Sequence, residues 1–144
     1  YTMMGDTVNL AARLESSAKQ YGVYNFVGEN IYETAKDTFI FRFLDFVQVK
    51  GKKIPVKVYE LISEKNKADN STIELIRTFE QGLDYYYQKK WGKAIKYFEK
   101  AEKMEDHFSS RNTTPSAVYI NRCTMFKQNP PDDNWDGVWS MTSK

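Results

Sequence analysis

The chain has 144 residues, 41% of them hydrophobic, 15% aromatic and 28% charged, which is too apolar for a disordered chain and enough for about one domain. Its formal net charge of +2 argues against a nucleic-acid partner. The single cysteine, Cys123, excludes an internal disulfide and favours a reducing compartment, so we expect a cytoplasmic location. No apolar stretch approaches the ~20 residues of a membrane span.

The first 22 residues predict the end of a strand followed by a helix. The chain begins on an apolar run, so we expect it to be a piece of a longer protein. The helix is predicted from Asp6, a suitable N-cap, to Tyr21, with Gly22 as its stop. Its apolar side consists of Leu10, Ala11, Leu14, Ala18 and Tyr21. Its narrow polar stripe consists of Asn9, Arg13, Ser16 and Gln20.

Residues 23–62 shift toward strand-forming composition. A short apolar strand at 23–28 and one or two helical turns at 29–37 are predicted first. Two aromatic and β-branched runs, 39–50 and 54–62, then predict a β-hairpin. Pro55 suggests that the second strand of the hairpin lies at a sheet edge. The imperfect alternation in both strands indicates either a bulge or burial of both faces.

The second half of the chain is predicted to be helical. A polar linker at 64–70 precedes two amphipathic helices, Thr72–Lys89 and Trp91–Met104, and a third at Ser116–Lys127. The lysines of the second helix are interpreted as a solvated face. The tail, 129–144, is predicted to be irregular, with Trp135 and Trp139 exposed.

Few side chains suggest chemistry. His107 is the only histidine and is expected at the surface, and Cys123 is expected as a buried thiol. Asn9 and Arg13 stand apart, because i, i+4 spacing places an amide and a guanidinium on one helix face near the N-terminus. That pair suits recognition of a phosphoryl group, but a solvated stripe has the same spacing.

The residues around this pair carry several motifs in a fixed order. They are Tyr-Thr-Met-Met-Gly-Asp-Thr-Val-Asn at 1–9, Ala-Ala-Arg-Leu-Glu-Ser at 11–16, Tyr-Gly-Val at 21–23, Phe-Arg-Phe-Leu-Asp at 41–45, Val-Lys-Gly-Lys at 49–52, Pro-Val at 55–56 and Val-Tyr-Glu-Leu at 58–61. Together they resemble the C-terminal part of a class III nucleotide cyclase catalytic domain. The resemblance covers residues 1–63 and implies an α+β fold, part of a ferredoxin-like cyclase domain.

The resemblance also implies roles for individual residues. Asn9 is expected to orient the ribose, and Arg13 to stabilise charge that develops on the α-phosphate. Lys50 is expected to contact the triphosphate. Thr2 occupies the base-selecting position, where threonine is typical of a bacterial-type subgroup of adenylate cyclases, so the implied substrate is ATP. A guanylate cyclase is a less favoured alternative, because Thr2 argues against it.

The same resemblance implies a metal cofactor and a partner. Class III cyclases use Mg²⁺ or Mn²⁺, and the two aspartate ligands are expected upstream of this chain, in a parent protein that could also be membrane-tethered there. Their active sites form between two cyclase domains in a head-to-tail dimer. This chain carries only the Asn/Arg/Thr set, so we expect it to be inactive alone. Asp6 is interpreted as a helix cap, and no metal ligand is assigned.

A second resemblance concerns the helical region, 71–128, predicted as an all-α extension. The offsets of its small and aromatic residues resemble those of a tetratricopeptide repeat: Gly82, Tyr85, Ala94, Phe98 and Ala101. The proline that usually follows the second helix is missing. A plain helical hairpin packed on the cyclase part is the alternative. The sequence therefore supports an adenylate cyclase, or else a non-catalytic cyclase remnant with a tetratricopeptide-like module that binds a protein partner.

Overall fold

A mixed four-stranded sheet and five α-helices make up residues 15–49 and 54–141, which are the residues that the computed structural model describes. The strands have the order β1-β3-β2-β4; β4 runs parallel to β2 and the other pairs are antiparallel. The elements are α1 (15–21), β1 (Phe26–Gly28), α2 (Glu29–Ala35), β2 (Phe39–Val49), β3 (Val56–Glu64), α3 (Asn70–Tyr87), α4 (Trp91–Glu102), α5 (Pro115–Gln128) and β4 (Trp139–Met141). The predicted α+β class is confirmed.

The predicted hairpin is formed by β2 and β3. Their register runs from Phe39 opposite Glu64 to Val47 opposite Val56, with shifts between Ile40 and Phe41 and between Phe43 and Asp45. These irregularities explain the imperfect alternation of the sequence. The predicted edge position of the second strand is wrong, because β3 lies between β1 and β2. Pro55 is tolerated because it precedes the strand and is not part of its ladder.

Helices α3 and α4 form an antiparallel hairpin close to the predicted one. The expected linker is largely structured: β3 extends to Glu64, a short 3₁₀ turn spans Lys65–Lys67, and Asp69 caps α3 by accepting a hydrogen bond from the Thr72 amide at 2.9 Å. The turn before α4 contains Lys89 with φ of 64°. The lysines predicted for this helix are exposed, as expected: Lys93, Lys96 and Lys100 within α4 and Lys103 directly after it. No helix within 15–49 and 54–141 is long and apolar enough to cross a membrane.

The tail is more ordered than the sequence suggests. Residues 129–138 contain no helix or strand, but Trp139–Met141 forms β4 against the free side of β2. The expectation that Trp135 and Trp139 are exposed is wrong, since both are half-buried. Trp135 packs with its ring centroid 5.4 Å from that of Tyr86. Aromatic residues that sequence alone placed in solvent therefore complete the core.

The core consists of two hydrophobic clusters, one among the C-terminal helices and one between α1 and the sheet. One is built mainly from α3, α4 and α5 around Phe79, Phe98 and Tyr119, and the other from α1 and the sheet around Tyr21, Leu44 and Val47. The half-buried ring of Trp139 packs against both clusters. The helices thus share their packing with the sheet.

Cys123 gives a simple test of this packing. Its side chain is completely buried, as predicted, and burial raises the pKa of the thiol to about 12. Because the thiolate is the reactive form, a thiol reagent at pH 8 should label the native protein far more slowly than the protein in denaturant. The measurement is the time course of labelling with and without urea. Equal rates under both conditions would show that α5 does not cover the thiol.

Candidate functional site

All four predicted site residues lie outside the described residues. Thr2, Asn9 and Arg13 precede the described part of α1, and Lys50 directly follows the last residue of β2. The structure therefore does not test whether they come together. It does show how the described segments next to them in the sequence are anchored, namely the C-terminal end of α1 and the hairpin strands β2 and β3.

Helix α1 is anchored by its apolar side. Ala18 and Tyr21 are each 1% exposed and pack into the cluster formed with β1, β2 and β3, whereas Gln20 is exposed. The predicted apolar side is confirmed for this part of the helix; of the predicted polar stripe, Gln20 is exposed and Ser16 is half-buried. The Tyr21 ring stacks on Phe26 of β1 at 5.7 Å between centroids. The end of α1 is therefore fixed against the sheet.

Gly22 ends α1 as predicted. Its φ is +77°, and the chain closes the helix with two backbone bonds, Gly22 N–H to Lys19 C=O at 3.2 Å and Val23 N–H to Ala18 C=O at 2.9 Å. This is the Schellman arrangement, in which glycine is favoured at the left-handed position. A Cβ atom at Gly22 would lie 2.0 Å from the carbonyl oxygen of Thr113. The glycine thus allows the segment before α5 to sit directly on the end of α1.

A buried charge on β2 lies beside this junction. Asp45 is 0% exposed. Its carboxylate accepts a hydrogen bond from the Tyr21 hydroxyl and another, at 2.8 Å, from the Phe46 amide. Nη1 of Arg122, on α5, lies 2.8 Å from Asp45 Oδ2. Tyr21, Asp45 and Arg122, hereafter the Asp45 cluster, therefore join α1, β2 and α5 at one point.

Arg122 is enclosed on several sides. Its Nη2 donates to the Tyr21 hydroxyl at 3.1 Å, and its guanidinium lies 3.8 Å from the ring centroid of Trp139 and 4.8 Å from that of Tyr119. Nη1 is close to Asp45 but is not aligned for a hydrogen bond, so that contact is mainly electrostatic. Stacking of a guanidinium on aromatic faces adds to the ion pair. Arg122 is held in one orientation.

The hydroxyl of Tyr21 stays protonated in this setting. Burial, and then the adjacent negative charge of Asp45, raise the pKa of Tyr21 far above its ordinary value. A protonated hydroxyl can donate to the carboxylate while its oxygen accepts from Arg122. The Tyr21 hydroxyl therefore acts as a hydrogen-bonding group of a structural network and not as an acid or base near neutral pH.

A second buried network joins β2 to the helices. Arg42 binds Glu105 through two bonds of 2.8 and 3.0 Å and contacts Glu60 of β3 at 2.6 Å. The Ser116 hydroxyl of α5 donates to Glu105 at 2.6 Å, and the Arg42 guanidinium lies 4.9 Å from the ring centroid of Phe79. This Arg42 cluster links the sheet to α3, to α5 and to the loop that follows α4. A bidentate arginine whose three nitrogens all donate hydrogen bonds is a favourable geometry for a buried ion pair.

Sequence reasoning did not assign a role to these two clusters. Arg42 and Asp45 stand in an otherwise apolar strand, and Arg122 stands beside Cys123 in a helix with buried neighbours. A charged residue within an otherwise apolar strand or helix face indicates that its side chain is buried and paired with a group of opposite charge. The pattern could have identified Arg42, Asp45 and Arg122 as buried, but not which residue pairs with which.

The described residues offer no metal centre. Within 15–49 and 54–141, no group of three or more His, Cys, Asp or Glu side chains could hold a metal ion. His107 is exposed, as predicted, and its Nε2 lies 3.8 Å from a Glu102 carboxylate oxygen. The described residues therefore provide no set of ligands for a catalytic metal ion, and we assign no reaction step to a metal bound by them.

Comparison with known proteins identifies what the chain is similar to. It is 31% identical over 126 residues to the terminal-differentiation-specific adenylate cyclase of Dictyostelium discoideum, covering 85% of this chain and 6% of that protein. It is 39% identical over 62 residues to adenylate cyclase 1 of Rhizobium meliloti, covering 43% and 9%, and 36% identical over 63 residues to an adenylate cyclase of Anabaena cylindrica, covering 42% and 12%. No protein-family model and no solved structure matches.

These matches show that the chain is related to adenylate cyclases. It spans only a small part of each of these relatives, 6 to 12% of their length. The Dictyostelium match, at 85% of the chain, must also include most of the helical half. The helices are therefore part of what this chain and that cyclase have in common.

Proposed function

We propose that the chain is the C-terminal part of a class III adenylate cyclase catalytic domain with a helical extension. The observation that carries the proposal is the ordered set of cyclase motifs in residues 1–63, in a chain related to adenylate cyclases from three unlike organisms. The described hairpin and the helix packed on it agree with this assignment. The parent protein converts ATP to 3′,5′-cyclic AMP and pyrophosphate in the cytoplasm, for intracellular signalling.

In the proposed reaction, the 3′-hydroxyl oxygen of ATP attacks the α-phosphorus. The bond from that phosphorus to the pyrophosphate oxygen breaks, and the hydroxyl proton is lost. Asn9 orients the ribose and Arg13 stabilises the negative charge that develops on the α-phosphate. Lys50 binds the triphosphate, and Thr2 contacts the adenine edge with a hydroxyl that can donate or accept. Each role follows from the motif position of the residue.

The proposed active site is shared between two cyclase domains. Mg²⁺ or Mn²⁺ supplies charge neutralisation on the phosphates in such sites, with ligands that we place upstream of this chain. The chain provides one half-site, and a second copy of the parent protein, arranged head to tail, provides the other. Alone, the chain is then inactive.

The test is nucleotide cyclisation by the longer protein that contains this chain. With Mn²⁺ present, we expect cyclic AMP from ATP and little or no cyclic GMP from GTP. The 144-residue chain alone serves as the control and should make neither product. Cyclic GMP as the main product would replace the adenylate assignment by a guanylate one.

A non-catalytic cyclase remnant with a tetratricopeptide-like module is the second candidate, favoured by the packing of α3 on α4. Gly82 is buried, and a Cβ there would lie 2.7 Å from the Phe98 ring. Ala94 and Ala101 are fully buried on the same side of α4. Small residues where two helices cross closely are typical of that repeat. Absence of any cyclase activity from the folded longer protein would favour this function, with a protein partner for the helices.

A further inference from the structure

We propose that helix α5 positions the two catalytic segments of the cyclase half-site, with Arg122 as a positioning residue that acts through Tyr21 and Asp45. The inference rests on the proposed function and adds a residue from the helical extension to it. Tyr21 ends α1, the described helix that directly follows Asn9 and Arg13 in the sequence, and Asp45 lies on β2, five residues before Lys50 in the sequence. Arg122 contacts both at once.

The buried carboxylate of Asp45 needs the positive charge that Arg122 of α5 provides. Asp45 is fully buried on β2. Among the described residues, Arg122 is the cation that forms an ion pair with it. A buried carboxylate that loses its partner is strongly unfavourable, whereas removing both charges together costs much less. Without Arg122, β2 and the end of α1 must therefore move apart or admit water. The cyclase segments depend on the extension for their relative placement.

Other contacts of the same region reinforce this dependence. The Tyr119 hydroxyl of α5 donates to the Leu44 carbonyl of β2 at 2.6 Å. Arg111, in the loop before α5, donates through Nε to the Val23 carbonyl just after α1 at 2.8 Å. Thr113 rests on Gly22. The loop and α5 thus bind backbone on both catalytic segments, so a shift of α5 moves both.

The experiment compares variants of the longer protein under conditions where circular dichroism shows each to be folded. Arg122→Met removes the cation but keeps an unbranched side chain, and Tyr21→Phe removes only the hydroxyl, as a milder change that keeps the ring packing. We expect Arg122→Met to lower kcat by about 10- to 100-fold and to leave KM for ATP within about threefold. The reason is that misplaced catalytic side chains slow the chemical step more than they weaken substrate binding. Tyr21→Phe should give a smaller loss of the same kind. The double variant Asp45→Asn/Arg122→Met should recover part of the kcat.

Glu60→Gln is the matched control. It weakens a largely buried ion pair with Arg42 inside the sheet, but it leaves the Asp45 cluster and the Glu105 contact with α5 intact. Its kcat should stay within about twofold of the unmodified protein. Hydrogen exchange gives a readout independent of activity: amides of residues 15–23 and 44–49 should lose protection in Arg122→Met and keep it in Glu60→Gln.

The outcomes separate the two proposals. If the unmodified longer protein makes no cyclic AMP, the proposed function fails and the positioning role fails with it. If that protein is active and the folded Arg122→Met and Tyr21→Phe variants retain its kcat, the positioning role alone is wrong. An equal loss of kcat in Glu60→Gln would also overturn it, because the effect would then be general destabilisation.

Discussion

Replacing Arg13 by alanine in the longer protein should lower kcat by about 10²-fold or more and change KM for ATP little. The reason is that negative charge on the α-phosphate oxygens reaches its maximum in the pentavalent transition state. A guanidinium beside the α-phosphate therefore stabilises the transition state more than the bound substrate. Steady-state cyclic AMP formation over a range of ATP concentrations gives both constants.

Two further variants make this result specific. Arg13→Lys keeps the charge but loses the planar fork, so it should recover only part of the activity. Lys19→Ala removes an exposed cation of α1, six residues after Arg13 in the sequence, and should leave kcat within about twofold. A large rise in KM at unchanged kcat in Arg13→Ala would assign Arg13 to substrate binding instead of to the transition state.

Gly22→Ala should destabilise the protein by about 2–5 kcal/mol. An alanine at a φ of +77° costs about 1–2 kcal/mol, and its Cβ would overlap the Thr113 carbonyl oxygen, which is a backbone atom and cannot turn away. The loop before α5 would have to leave the end of α1. Urea unfolding followed by tryptophan fluorescence measures the change, because the rings of Trp91, Trp135 and Trp139 lie in the core clusters.

For Gly92→Ala we expect the opposite change in stability. Gly92 lies in the first turn of α4, and a Cβ there meets nothing within 4 Å. Alanine should therefore stabilise the protein by about 0.5–1 kcal/mol, through helix propensity and a less flexible unfolded chain. If Gly22→Ala proved as harmless as Gly92→Ala, the contact between Gly22 and Thr113 would be wrong.

Local patterns predicted most of the elements. The hairpin, α2 and the three C-terminal helices followed from composition and periodicity, and Gly22 marked the end of α1 because a helix stop is a local property. The central position of β3 did not follow, since strand order depends on β1, which pairs with β3 from a distant part of the chain. Pro55 was misleading because it lies one residue outside the ladder.

The candidate site was predictable only where the residues belong to a motif. Thr2, Asn9, Arg13 and Lys50 were assigned by resemblance and remain predictions, as they lie outside the described residues. The pairing of Asp45 with Arg122 joins residues 77 positions apart in the sequence, and no local periodicity encodes such a contact. The burial of Trp139 depends in the same way on the guanidinium that it covers.

The parallel pairing of β4 with β2 has a consequence for synthesis. Val47 is opposite Trp139, so about 90 residues must be translated before this flank of β2 acquires its neighbour. At about 5–20 residues per second, the interval is on the order of 5–20 s. During that time none of the other described strands pairs with this flank of β2, so a chaperone or a neighbouring nascent chain can pair with it on the ribosome. Folding yield, more than final stability, should therefore be sensitive to changes in the last strand.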